Sequence, residues 1–203
     1  MLVLYDFLDS GNGYKVRLLL NQLGRGFELV EKDILSGETR TPEFLRINPN
    51  GRVPALQLDD GTVLAESNAI LVYLADGTPM WPTERLARAQ VLQWMFFEQY
   101  SHEPNIATPR FWLRHLPELD AARKAQLVQK QRLGHAALGV MEYHLGSRTF
   151  FVDERYTVAD IALYAYTHVA DQGGFDLAQY PAVRAWLARV QAQPGHIPML
   201  NAD

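Results

Sequence analysis

Several short groups of residues carry the types and spacings that chemistry needs. Ser10 and Asn12 stand two apart in Asp9-Ser10-Gly11-Asn12-Gly13, between an apolar run and a helical pattern. A hydroxyl or a carboxamide there can donate a hydrogen bond to an anion, and the positive end of the following helix adds to it. Glu66-Ser67 opens a second helical pattern. A serine at that point can cap the helix by itself. The residue three positions on is Ile70, so no Glu or Gln completes a capping box, and the helix start is open to an outside anion. The third group is Asn48-Pro49-Asn50-Gly51-Arg52-Val53-Pro54. Proline fixes φ and removes an amide donor. A cis Val53-Pro54 bond would bend the chain and leave the Val53 N–H and C=O unpaired at a sheet edge. A short peptide can pair with such an edge as an added strand.

The sequence has no cysteine. That removes disulfides, thiolate metal sites, a Cys-X-X-Cys pair and any protein thiol nucleophile. Sulfur chemistry would have to come from a bound small molecule. The six histidines lack a metal-ligand spacing, so no metal site is expected. Hydrophobic residues make up 48% and charged residues 21%, with net charge −4, the balance of an ordinary soluble globular protein. The pI of about 5.9 argues against a duplex nucleic-acid binder. No apolar run is long enough for a membrane helix. Met1–Asp6 reads as a strand entered at once, without a basic leader region, so a cytoplasmic location is expected.

The elements that must position these groups follow from pattern. Residues 2–6 form a buried strand. Residues 14–24 are helical, with Val16, Leu19, Leu20 and Leu23 on one face and Gly24 and Gly26 ending it. Residues 27–32 alternate as a strand, giving a βαβ unit with a parallel pair. After a polar loop at 36–41, a short helix starts at Pro42. Strands at 54–58 and 62–64 flank the turn Asp59-Asp60-Gly61. A helix follows over 67–75. Residues 76–83, rich in Gly and Pro, form the expected linker between domains at 1–75 and 84–203. Beyond it the pattern is helical, at about 84–113, 118–145, 157–170 and 180–192, with Pro104 and Pro109 bending or breaking the first helix. Thr157-Val-Ala-Asp160 has capping-box spacing and is read as a folding signal.

In this order and spacing, Asn48–Pro54, Glu66-Ser67 and Phe151–Asp160 resemble the cytosolic glutathione transferase superfamily, in its bacterial serine-type (theta-like) or nu-like branches. The resemblance covers nearly the whole chain. It implies an α/β domain followed by an all-α domain: an N-terminal thioredoxin-like glutathione-binding domain, then an all-helical C-terminal domain. It implies glutathione as co-substrate, along Val53 ahead of Pro54, with the γ-glutamyl carboxylate at Ser67 and the α-amino group at Glu66. Arg52 would reach the glycyl carboxylate. Thr39 falls where relatives carry a polar glutathione contact, with Arg40 beside it.

In serine-type enzymes a serine placed like Ser10 donates to the glutathione sulfur. Lowering a thiol pKa from about 8.5 by roughly two units takes about 2.7 kcal/mol, and one hydrogen bond to a charged group contributes roughly 1.5–3 kcal/mol. A single hydroxyl with a helix dipole is therefore enough in principle. Asn12 is the rival donor, because Ser10-Gly-Asn12 resembles the nu-like group, which is associated with disulfide reduction. Tyr5 is a third candidate, placed inside the strand and read as structural. The aromatic stretch Gln93–Trp112 faces the second substrate in relatives, which nominates Tyr100, Asn105, Phe111 and Trp112, together with the C-terminal Pro198-Met199-Leu200. The resemblance thus implies transfer of glutathione to an electrophilic small molecule, a detoxification role and a homodimer. Disulfide reductase, peroxidase or isomerase activity, and a non-catalytic scaffold with the same fold, remain as alternatives.

Overall fold

The computed structural model describes residues 1–199; Leu200 and the three residues after it, and so part of the expected C-terminal wall, lie outside the described residues. The chain divides into two compact units, residues 1–78 with the segment from Pro194, and residues 79–193. The first is thioredoxin-like and the second helical.

In the first unit, β1 (Leu2–Asp6), α1 (Gly11–Gln22) and β2 (Phe27–Glu31) form the expected βαβ element. After a 3-10 turn at Glu38–Arg40 come α2 (Pro42–Ile47), β3 (Ala55–Gln57), β4 (Val63–Ala65) and α3 (Ser67–Ala75). The sheet order is β2-β1-β3-β4, with β1 parallel to β2 and β3 antiparallel to both β1 and β4. Leu4 is opposite Leu29 on one side and Leu56 on the other. The β3–β4 turn closes through Gly61, whose φ of 87° lies in the region that favours glycine. Leu4, Leu18, Leu19, Leu56, Ile70 and Leu71 are fully buried and form the core.

Helix α1 begins at Gly11, three residues earlier than its pattern suggests. Gly-Asn-Gly reads as a turn by composition, yet Ser10 caps the helix by accepting the Gly13 N–H at 3.3 Å. Gly13 answers to a tertiary constraint: a Cβ there would overlap the Asp6 carboxylate.

In the second unit, α4 (Arg85–Phe97) runs through a π-helical turn at Glu98–His102 into α5 (Glu103–His115). The irregularity lies just ahead of Pro104, which takes a first-turn position where a missing N–H costs little. Pro109 lies inside α5 without ending it. Next come α6 (Ala121–Leu145), α7 (Val158–Thr167) and α8 (Pro181–Gln191). The capping box of α7 forms as its spacing implies: Ala159 N–H donates to Thr157 Oγ1 at 3.3 Å, and Thr157 N–H donates to Asp160 at 2.9 Å.

By pattern the helical domain runs from residue 84 to the end of the chain. The segment from Pro194 instead groups with the first unit. Asn21 Nδ2 donates to the Gly195 carbonyl at 2.8 Å and the Tyr14 hydroxyl to the Ile197 carbonyl at 2.7 Å. Among the described residues, no helix is long and apolar enough to cross a membrane.

Candidate functional site

The first turns of α1 and α3 are joined through side chains. Ser67 is the first residue of α3, and Glu66 occupies the N-cap position without a side-chain capping bond. The Ser67 hydroxyl therefore does not cap its own helix. It donates to Asn12 Oδ1 at 3.3 Å. Lys15, fully buried, completes the cluster: its Nζ lies 2.8 Å from Asn12 Oδ1, 3.3 Å from Ser67 Oγ and 3.5 Å from Asn68 Oδ1. Glu66 is exposed and held at φ 67°, ψ 109°, a region that costs a residue with a side chain about 1–3 kcal/mol. Ser10 accepts the Gly13 amide with a lone pair, which leaves its O–H as a donor.

Beneath this surface is a buried ion pair. Arg17 Nε contacts Asp6 Oδ2 at 2.8 Å, with both side chains almost wholly buried. Asp6 Oδ1 accepts the Phe7 N–H at 2.7 Å, and Arg17 reaches the Leu8 carbonyl at 2.7 Å. Ser10 N–H closes onto the Phe7 carbonyl at 2.7 Å. The pair thus pins the turn that carries Ser10. Burial pushes the Asp6 carboxyl up to about 6, against the opposing charge and hydrogen bond of Arg17.

The Val53–Pro54 peptide is cis. Ladder pairing of β3 begins at Ala55, so Val53 stands outside it. Asn48 shapes the loop ahead of it, donating from Nδ2 to the Arg52 carbonyl at 2.7 Å and accepting the Asn50 N–H at 3.1 Å. Arg52 is exposed. Arg40 lies across the same loop, its guanidinium 3.0 Å from the Asn50 carbonyl. Thr39 is buried. The Tyr5 hydroxyl is bound to Gln57 at 3.1 Å, as suits a structural residue. The first unit therefore offers hydrogen-bond donors at two helix starts and an unpaired strand end, an arrangement that can hold an extended peptide carrying a carboxylate and a thiol.

Residues 1–76 match the family model described as glutathione S-transferase, N-terminal domain, and residues 94–194 match the glutathione S-transferase, C-terminal domain. The chain belongs to the cytosolic glutathione transferase superfamily. It is 33% identical to the disulfide-bond oxidoreductase YfcG of Escherichia coli, over 96% of this chain and 92% of that protein. The crystal structure of a glutathione S-transferase from Pseudomonas fluorescens superposes with a TM-score of 0.96 at 52% identity, covering 98% of this chain and 99% of that one. Ure2p in complex with glutathione superposes at 0.88 with 28% identity, covering 98% and 97%.

The residues nominated from other transferases for the second substrate lie in the helical unit. Tyr100, in the π-helical turn, is 87% exposed. Tyr100 and Asn105 line an open groove of about 490 Å³ with Phe97, Pro104, Leu133 and Val140. Phe111 and Trp112, half-buried further along α5, do not line it. Lys15, Asp6 and Arg17 were missed by sequence reasoning. For Lys15 and Arg17 a signal was present: both stand inside Tyr14-Lys-Val-Arg-Leu-Leu-Leu20, a run otherwise apolar on almost every face, which points to burial.

Proposed function

We propose that this protein is a glutathione transferase that activates the glutathione thiol for attack on an electrophilic small molecule. The observation that carries the reading is the Asn12–Ser67 contact, which ties a candidate thiol donor to a candidate carboxylate receiver. In this reading the cysteinyl backbone of glutathione pairs with Val53, the Ser67 N–H and the α3 amides after it take the γ-glutamyl carboxylate, and Glu66 takes the amine. Arg52 and Arg40 attract the glycyl carboxylate. Thr39, buried beside Arg40, stays a candidate polar contact on that side of the ligand. Ser10 or Asn12 donates to the sulfur and holds it as thiolate. The thiolate attacks carbon, a C–S bond forms and the leaving group departs with the electron pair. Tyr100, Asn105, Phe111 and Trp112 remain the candidate contacts for that substrate.

Conjugation rates of Ser10→Ala and Asn12→Ala test the reading. Loss of the main donor should slow turnover about 10- to 100-fold, the equivalent of a charged hydrogen bond worth roughly 1.5–3 kcal/mol. Undiminished turnover in both variants contradicts the assignment.

The likeness to YfcG supports a second reading, glutathione-dependent disulfide reduction. The thiolate would attack a disulfide sulfur, forming a mixed disulfide with glutathione and releasing the other thiolate. No mixed disulfide with the protein can form, because there is no cysteine. Parallel assays with an aryl halide and a small disulfide separate the two. A homodimer also belongs to this proposal. Exposed Phe96, Tyr100 and Tyr143 supply aromatic surface for it, and light scattering that gives a monomer mass would refute it.

A further inference from the structure

We infer that Lys15 is a positioning residue of the thiol site, setting which edge of Asn12 faces the sulfur; this rests on the glutathione reading above. An ammonium can only donate hydrogen bonds. The Asn12 atom 2.8 Å from Lys15 Nζ must therefore be its oxygen. Ser67 Oγ donates to that same oxygen at 3.3 Å. A carboxamide held so by its oxygen turns its Nδ2 hydrogens to the opposite edge, as donors. Lys15 also donates to Ser67 Oγ at 3.3 Å, which leaves the Ser67 hydroxyl hydrogen pointing at Asn12. One buried cation thus orders two polar side chains, one at the start of each helix. The offset is local: Lys15 follows Asn12 by three residues on α1, so both side chains share one helix face.

Lys15 then does more than fill buried space. A lysine that only filled space would leave the titration of a bound thiol unchanged when replaced by methionine, an unbranched apolar side chain of similar length. A lysine that orients Asn12 would not. Without it the carboxamide loses its closest hold on that orientation, and an Asn12 that flips presents an oxygen to the sulfur and repels the thiolate.

The test is a pH titration of bound glutathione, followed by the ultraviolet absorbance of its thiolate, in the wild type, Lys15→Met, Asn12→Ala and the double variant. Affinity for S-methylglutathione, measured by calorimetry, reports binding apart from the thiol. Lys15→Met should keep that affinity within about threefold, because backbone N–H groups of α3 hold the carboxylate, while thiolate at neutral pH falls about tenfold, one pKa unit. The double variant should lose no more than Asn12→Ala alone, because Lys15 acts through Asn12. An unchanged titration in Lys15→Met, or additive losses in the double variant, overturns the inference. If Lys15→Met does not fold, Asn12→Asp carries the test. Its carboxylate accepts from Lys15 but has no N–H for the sulfur, so it should bind the S-methyl analogue and lose thiolate; thiolate retained there also overturns the inference. If the wild type binds neither ligand, the glutathione reading fails first and Lys15 with it.

Discussion

Asp6 in the first unit and Asp160 in the second are both fully buried carboxylates, and burial pushes each up to about 6. Their partners differ. Asp160 accepts from Thr157 N–H at 2.9 Å, Thr157 Oγ1 at 3.3 Å, Trp186 Nε1 at 2.9 Å and Phe151 N–H at 3.3 Å. These are uncharged donors that need an acceptor whatever the protein binds. Asp6 instead faces the charge of Arg17, and the pair holds the turn ending at Ser10. One carboxylate serves the fold alone; the other serves the fold at the place where the proposed chemistry happens.

The largest effects should come from breaking either network. Asp160→Ala leaves several buried donors without an acceptor, and Asp6→Ala leaves a buried guanidinium without its counter-charge. Each should cost about 3–5 kcal/mol in urea unfolding. Asp6→Ala with Arg17→Met should be more stable than Asp6→Ala alone, because the stranded charge is gone, yet it should stay impaired in conjugation. Full activity in that double variant would show that the pair does not position Ser10.

The pH dependence of stability comes next. Folded Asp160 keeps its proton up to about 6, above the ordinary value of about 3.9 for an unfolded chain. The folded state then binds the extra proton between those limits, so this contribution is complete below pH ~4 and is lost as pH rises through ~6. The stability of the wild type relative to Asp160→Asn should fall by roughly 2 kcal/mol between pH 4 and pH 7. A flat difference would mean that the four donors hold Asp160 ionised throughout.

Gly13→Ala should cost about 1–3 kcal/mol by overpacking, since its Cβ would meet the Asp6 carboxylate. It should also lower conjugation by displacing the first turn of α1. The smallest effect is expected at Glu66. Glu66→Gly relieves the strained φ of 67° and should stabilise the protein by about 1 kcal/mol in urea unfolding. It should still weaken glutathione binding by removing the carboxylate that faces the amine. Tighter binding in that variant would deny Glu66 its role.

The parts of this molecule that were legible in its sequence are the local ones. Thr157 and Asp160 are three residues apart on one helix start, and their capping box is visible as spacing alone. The strand–helix–strand order and the Asp59-Asp60-Gly61 turn are equally local. The Asp6–Gly13–Arg17 contact is not, because Gly13 is a helix breaker by propensity and a necessity only once Asp6 lies beneath it. For the same reason α1 starts at Gly11, three residues before its apolar pattern begins. Lys15 sits in an apolar run that hints at burial, but its partners become evident only when α3 brings Ser67 and Asn68 against it. Ser67 was recognised as a helix-start residue, but its hydroxyl reaches across to Asn12, a partner fifty-five positions away. The segment from Pro194 reads as a helical-domain tail until Tyr14 and Asn21 claim its carbonyls.

A crystal structure of the glutathione complex tests the central claim most directly. The account predicts the tripeptide paired with the Val53 N–H and C=O, its γ-glutamyl carboxylate at Ser67, and its sulfur within hydrogen-bond reach of Ser10 Oγ or Asn12 Nδ2. A tripeptide seated elsewhere, or a sulfur turned away from the first turn of α1, would contradict it.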